Sequence, residues 1–397
     1  CTAPIAALLL PHAAGIPTMA ALGCFRLKQQ VLLGHDVYVY KVDCNCDATA
    51  LAAATSENAV GLLDPASLSM VRRLEGHGDG IGDVTFFQSS PFCLASCSRD
   101  GSARLWDLRA SEPCTRAFEL KTDEAFSCSV GRGDAALACG AGNKVHLFDV
   151  GQGKRLTVYK DTHTDTVNHV RFHPVDTSKL LSGSMDNLIA LLDTNEAKED
   201  QALLGIIPNE ECVQSFNLVG PDRNTLCSVS TTDQVRIWGL GEADFGIRRA
   251  EFLGIRENPL LAREDSLGYV VSTFYDEPSS QVFLLAGSGE DSAGSRLLAL
   301  FRVALPEAEP VATFALPVPG EGPSGLTGHT GLVRSAICLP GGAVLTAGED
   351  GHICAWREEG SSDAAATAAA EGAAFGLEPT AFGARREGAP VSRSAPY

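Results

Sequence analysis

The stretch ASCSRDGSARLWDLR, residues 95–109, sets a run of small residues before an Asp-Gly pair, then a second run that closes on Trp106 and Asp107. Glycine accepts positive φ at no steric cost, so Asp100-Gly101 between two short runs predicts a tight β-hairpin. His77 lies eighteen positions before the stretch, so the same segment also supplies the Ser, Asp and His of a hydrolytic triad. A triad needs an exposed nucleophile and an oxyanion hole, commonly at a strand-to-helix elbow, and no G-x-S-x-G is present. Recurrence decides between the two readings, because an active site is not built in duplicate along a chain whereas a structural staple is.

The pattern does recur. LTAGEDGHICAWR (345–357), LSGSMDNLIALLD (181–193) and CSVSTTDQVRIWG (227–239) repeat it, AAATSENAVGLLD (52–64) and ACGAGNKVHLFDV (138–150) are weaker copies, and VFLLAGSGEDSAGSRLLALFR (282–302) carries an insertion in its turn. The closing apolar residues are Leu63, Trp106, Phe148, Leu192, Trp238, Phe301 and Trp356, at steps of 43, 42, 44, 46, 63 and 55 residues. A period of about 40 to 45 fits a unit of four short strands, and the longer steps require only loop insertions. A second marker, Gly34-His35, Gly76-His77, Thr162-His163 and Gly328-His329, precedes four of the closers by 28, 29, 29 and 27 residues.

GHGDGIGDVTFFQSSPFCLASCSRDGSARLWD and GHTGLVRSAICLPGGAVLTAGEDGHICAWR resemble WD repeats, and the resemblance spans roughly residues 24 to 360. It implies an all-β fold, a single seven-bladed WD-repeat β-propeller, with residues 25–33 as the N-terminal strand closing the last blade. It also implies buried structural tetrads, His77–Ser96–Asp100–Trp106 and His329–Thr346–Asp350–Trp356, with a partial set His163–Ser182–Asp186 in which Leu192 replaces Trp. Mutual pairing of these polar groups offsets their burial, and loss of Asp100 is expected to cost about 1–3 kcal/mol. The sequence Trp106-Asp107-Leu108-Arg109 is similar to the WDxR motif by which many propellers dock on the adaptor of cullin-4 ubiquitin ligases, which implicates Arg109 as a contact; an ordinary solvated arginine is the plainer alternative.

The formal charge of −18 repels phosphate backbones and anionic membrane surfaces, so neither nucleic acid nor membrane is an expected partner. No run approaches the roughly twenty apolar residues of a helical membrane span. Thirteen cysteines include no C-x-x-C pair, which reads as reduced core thiols in an intracellular protein, cytoplasmic or nuclear. His169 and His173 lack placed carboxylate or cysteine co-ligands and read as strand-face histidines, and GHGDGIGD (76–83) lacks the following helix of a phosphate-cradling loop. No catalytic, metal or cofactor site is therefore expected.

Residues 1–23 are expected to form a disordered or non-native leader, since the chain begins with Cys and Met19 opens MAALGC, and the Ala/Gly/Ser/Pro-rich 361–397 a disordered tail. The function expected is a non-catalytic interaction platform for other proteins. Its binding rim is placed at residues before the turn Asp and early in the innermost strands: Arg99, Met185, Glu349, Asn168, Arg334 and, more weakly, Asp83. Alternatives are a substrate receptor of a cullin-4 ligase and a scaffold in ribosome assembly.

Overall fold

Short runs of alternating or continuous apolar residues, broken every few positions by Gly, Asp, Asn or Pro, have no length to form helices and instead pair as narrow antiparallel sheets. The computed structural model describes residues 23–359 other than 121–123, 259–267, 277–279, 290–296, 305–306, 316–325 and 340–341. The expected leader, Gly23 excepted, and the expected tail lie outside the described residues, as does most of the insertion in the sixth repeat.

The opening strand is β1 (Gly23–Leu32). Blade 1 follows with β2 (Val39–Cys44), β3 (Leu51–Thr55), β4 (Ala59–Leu63) and β5 (Met70–Glu75), and blade 2 with β6 (Ile81–Phe86), β7 (Cys93–Ser98), β8 (Ser102–Asp107) and β9 (Cys114–Glu119). Blade 3 comprises β10 (Ala125–Gly131), β11 (Ala136–Ala141), β12 (Lys144–Asp149) and β13 (Lys154–Tyr159). Blade 4 comprises β14 (Val167–Phe172), β15 (Lys179–Ser184), β16 (Leu188–Asp193), a one-turn helix α1 (Glu199–Ala202) and β17 (Leu203–Pro208). Blade 5 comprises β18 (Val213–Val219), β19 (Thr225–Ser230), β20 (Val235–Gly239) and β21 (Arg248–Phe252). Blade 6 comprises β22 (Tyr269–Asp276), β23 (Gln281–Gly287), β24 (Leu298–Ala304) and β25 (Glu307–Ala315). The last unit has β26 (Val333–Cys338), β27 (Val344–Gly348) and β28 (His352–Glu358). The fold is a seven-bladed β-propeller, the first strand of each blade lying innermost.

Each closing apolar residue recognised by its period sits in the third strand of its blade and is buried, from Leu63 to Trp356. In blades 2, 3, 4, 5 and 7 the hairpin before that strand turns on a residue of positive φ, namely Gly101, Gly142, Asn187, Asp233 and Gly351. Seven apolar clusters fill the interior of the described residues, one at each boundary between neighbouring blades, so burial is a property of the ring and not of any single sheet.

Strand β1 completes blade 7 as its outer strand, antiparallel to β28 from Phe25↔Glu358 to Leu32↔His352, with Leu27 buried beside Trp356. It does more than the sequence pattern suggests. Its first residues also pair in parallel with β25, Gly23↔Ala312 through Arg26↔Ala315, which joins blades 6 and 7 into one eight-stranded sheet.

Candidate interaction site at the channel and rim

The structure brings the tetrad residues together. In blade 2, His77 Nε2 lies 2.8 Å from Ser96 Oγ, His77 Nδ1 lies 3.0 Å from Asp100 Oδ2, and Trp106 Nε1 donates to Ser96 Oγ at 2.8 Å. In blade 7 the corresponding distances are 2.8 Å for His329–Thr346, 3.1 Å for His329–Asp350 and 2.7 Å for Trp356–Thr346. His163 meets Ser182 at 2.8 Å and Asp186 at 3.0 Å, with Leu192 packed where the indole stands elsewhere. The Ser96 hydroxyl is fully buried and spent on two partners, the opposite of a nucleophile awaiting a substrate.

Burial lowers the His77 imidazole below its ordinary value, so it is neutral at pH 7, donating from Nδ1 to Asp100 and accepting at Nε2. Burial by itself would raise the Asp100 carboxyl, but hydrogen bonds from Ser102, Gly78 and His77 outweigh it and hold the group at about 2. Blade 5 carries a related set that the His marker misses: Ser228 Oγ donates to Asn209 Oδ1 at 2.7 Å and accepts from Trp238 Nε1 at 3.1 Å. Asn209 precedes Trp238 by 29 residues, the same interval as His77 to Trp106, so spacing without residue type was the available signal. His35, by contrast, is exposed in the turn before blade 1.

All seven innermost strands bulge at one equivalent place, between Val39/Lys41, Ile81/Asp83, Ala125/Ser127, Val167/His169, Val213/Ser215, Val270/Ser272 and Val333/Ser335. A bulge re-aims side chains, and here the bulged residue and the one after it both line the central channel, a cavity of about 740 Å3. The bulged residues, Tyr40, Gly82, Phe126, Asn168, Gln214, Val271 and Arg334, ring the end that also carries the hairpin turns, here called the upper face. Below them lie Lys41, Asp83, Ser127, His169 and three serines, and below those Asp43, Thr85, Ser129, Arg171, Asn217, Phe274 and Ile337.

The polar wall also manages the free edges of the inner strands. Backbone N–H groups of Val42, Phe86, Cys128, Val170 and Phe172 donate to Ser335 Oγ (3.1 Å), Asp43 Oδ2 (2.8 Å), Asp83 Oδ2 (3.0 Å), Ser127 Oγ (3.1 Å) and Ser129 Oγ (3.1 Å) of the preceding blade. Each such bond satisfies a donor that no strand pairs with.

This arrangement sorts the rim residues. Asn168 and Arg334 are bulge residues at the channel mouth, while Arg99, Met185 and Glu349 lie in hairpin turns of the upper face. Arg99 is exposed and stacks over Tyr40 at 5.4 Å, with Tyr38 edge-on to Tyr40 at 6.5 Å. Arg334 donates from Nε to Glu349 at 2.8 Å, and Asn168 donates to Val213 O at 3.1 Å. Asp83 does not belong to the rim: it is 3% exposed, and its carboxylate is occupied by Lys41 (2.7 Å), Ser127 (3.0 Å) and the Cys128 N–H. The bulge is the reason, since the blade 2 counterpart of Asn168 and Arg334 is Gly82, one position earlier. A Cβ at Gly82 would meet Ala125 O at 2.5 Å, so a glycine lets blade 3 close in.

Arg109 lies on the opposite face, solvent-exposed, bonded to Asp107 through Nε (2.9 Å) and Nη2 (2.8 Å) and stacked over Phe92 at 5.4 Å. His169 faces the channel, whereas His173 is turned away from it, hydrogen-bonded to Arg223 O at 3.1 Å. Five of the described cysteines are buried, and burial pushes the Cys227 thiol up to about 12, where it is unreactive.

The repeat model "WD domain, G-beta repeat" matches residues 68–107, 153–193 and 323–357, which carry the two complete tetrads and the partial set of His163. This chain is a WD-repeat β-propeller. Stretches 163–203 and 329–356 read as similar to WD repeat-containing protein 89, and a protein of that name is among the relatives. The chain is 29% identical to the WD repeat-containing protein 89 homolog of Dictyostelium discoideum over 256 residues, 64% of this chain and 69% of that protein. It is 28% identical to WD repeat-containing protein GTS1 of Arabidopsis thaliana over 344 residues, 83% of each chain. Human Striatin-4 is 28% identical over 186 residues, 45% of this chain and 24% of that protein. WD-repeat propellers are typically non-catalytic scaffolds that bind other proteins, and the buried tetrads agree with that use.

Proposed function

We propose that this propeller is a non-catalytic platform, working in the cytoplasm or nucleus, that captures a protein partner on the upper face over blades 7, 1 and 2. The observation that carries the proposal is the cluster of Tyr38, Tyr40 and Arg99 at the channel mouth, flanked by the Arg334–Glu349 pair. Exposed tyrosines and arginines of low conformational freedom are the residue types on which interface energy concentrates. Affinity purification with mass spectrometry on wild type and on Arg99→Ala/Arg334→Ala tests this. The double variant is expected to fold normally and lose the partner captured by wild type; full retention of that partner refutes the rim assignment.

A second reading rests on Arg109, whose side chain is 61% exposed on the other face. A cullin-4 adaptor that co-purifies with wild type and is lost with Arg109→Ala supports a ligase receptor; its absence from both removes that reading. Whatever stable assembly is recovered, ribosome-associated or otherwise, then identifies the scaffold's setting.

A further inference from the structure

His169 and Arg171 stand two apart on β14, so both side chains project from the same face of the strand into the channel. The Nε2 of His169 and the Nε of Arg171 are buried and have no hydrogen-bond partner, and the Arg171 guanidinium forms no hydrogen bond or ion pair with any described residue. An unpaired cation in a channel wall is costly, and structures seldom keep one without a counter-charge for at least part of the time.

The acids nearby are already engaged. Asp83 is bound by Lys41, Ser127 and the Cys128 N–H, and Asp43, whose charge reaches both Arg171 and Lys41, accepts the Phe86 N–H. The lining holds Lys41, Arg171, Arg223 and Arg334 against Asp43 and Asp83, with Glu349 pairing Arg334 from the upper face, which leaves one cation more than acids inside a chain of formal charge −18. Low-dielectric walls concentrate such a field, so an anion entering the channel is drawn to Arg171. The hydroxyl of Ser215, one blade on and level with His169, adds a small donor beside the pair.

We infer that the channel is a binding site for an oxyanion, a phosphate or carboxylate group carried by a ligand and held by the Arg171 guanidinium, with the His169 ring beside it. A planar guanidinium with several free donors suits bidentate recognition of either group. The inference goes beyond the rim platform and does not depend on it, since Arg99 and Arg334 lie above the site and neither residue of the pair belongs to the rim.

The test uses the full chain, with inorganic phosphate and a glutamate-rich peptide as separate probes, each against sodium chloride of matched ionic strength. Wild type is expected to gain melting temperature with at least one probe, and the His169 ring resonances are expected to move in the same titration. Response to phosphate identifies a phosphoryl ligand, and response to the peptide alone identifies carboxylates; both support the site. Arg171→Met is expected to weaken probe binding tenfold or more while melting, without any probe, at or above the wild-type temperature, because it removes an unpartnered charge. Arg99→Ala/Arg334→Ala is expected to bind the probes as wild type does. No response of wild type to either probe, binding that survives Arg171→Met, or a probe-free loss of melting temperature in that variant overturns the inference.

Discussion

Asp100→Ala is the sharpest perturbation of the architecture. The carboxylate accepts from His77 Nδ1 (3.0 Å), the Gly78 N–H (2.8 Å), the Ser102 N–H (2.8 Å) and the Ser102 hydroxyl (2.7 Å). Its removal leaves the His77 Nδ1–H buried without that acceptor, for about 1–3 kcal/mol. A carboxyl drawn from its ordinary 3.8 to about 2 supplies a further contribution at neutral pH, about 1–2 kcal/mol once solvent screening at a partly exposed position is allowed for. The two estimates overlap, since His77 enters both, and about 2–4 kcal/mol is expected. For a cooperative ring of about 330 residues that lowers the melting temperature by about 3–6 °C. The assay is calorimetric or circular-dichroism melting at pH 7, repeated down to pH 2. Because the folded carboxyl titrates below its unfolded value, its contribution is full above about pH 3.8 and fades as pH falls toward 2. His77, whose imidazole is held low by burial, removes stability earlier, as pH falls through about 6.5. The variant is expected to lose the low-pH part of this dependence, and Asp100→Asn to recover part of the melting temperature. An unchanged melting temperature for Asp100→Ala would refute the tetrad as a source of stability.

Two further substitutions probe how the ring is packed and closed. Gly131→Ala places a methyl 2.1 Å from the Phe172 ring of the next blade, so a loss of about 1–3 kcal/mol is expected in urea unfolding, and a neutral result shows that blades 3 and 4 yield more easily than their packing implies. Leu27→Ala empties a buried position in the strand that completes blade 7, with an expected loss of about 2–4 kcal/mol; stability equal to wild type means that β1 is dispensable for closure.

The architecture was legible because one position per repeat is both deeply buried and large. Trp106, Trp238 and Trp356 advertise it, and even where Leu63, Leu192 or Phe148 replaces the indole the period survives, since each blade must present a bulky side chain there to its neighbour. The channel was less legible. Alternation along a strand reveals two faces but not that a bulge turns two consecutive residues toward the same side, which is why Asp83 reads as a rim residue although Gly82 holds that place. Asn209 escaped because a neutral amide accepts from Ser228 as well as an imidazole does, and a search by residue type passes over it. The isolation of Arg171 arises from seven strands arriving at one axis, and no local pattern carries that information.

The double engagement of β1 has a mechanical consequence. Tension applied along this strand has to shear two ladders at once, one to blade 7 and one to blade 6, rather than peel a single edge residue by residue. A platform that is pulled by what it holds benefits from such a latch at the seam where its circle is joined. By the same token, a segment competing for the outer edge of blade 6 has to displace Gly23–Arg26 from β25, while the longer ladder to β28 still holds the ring closed.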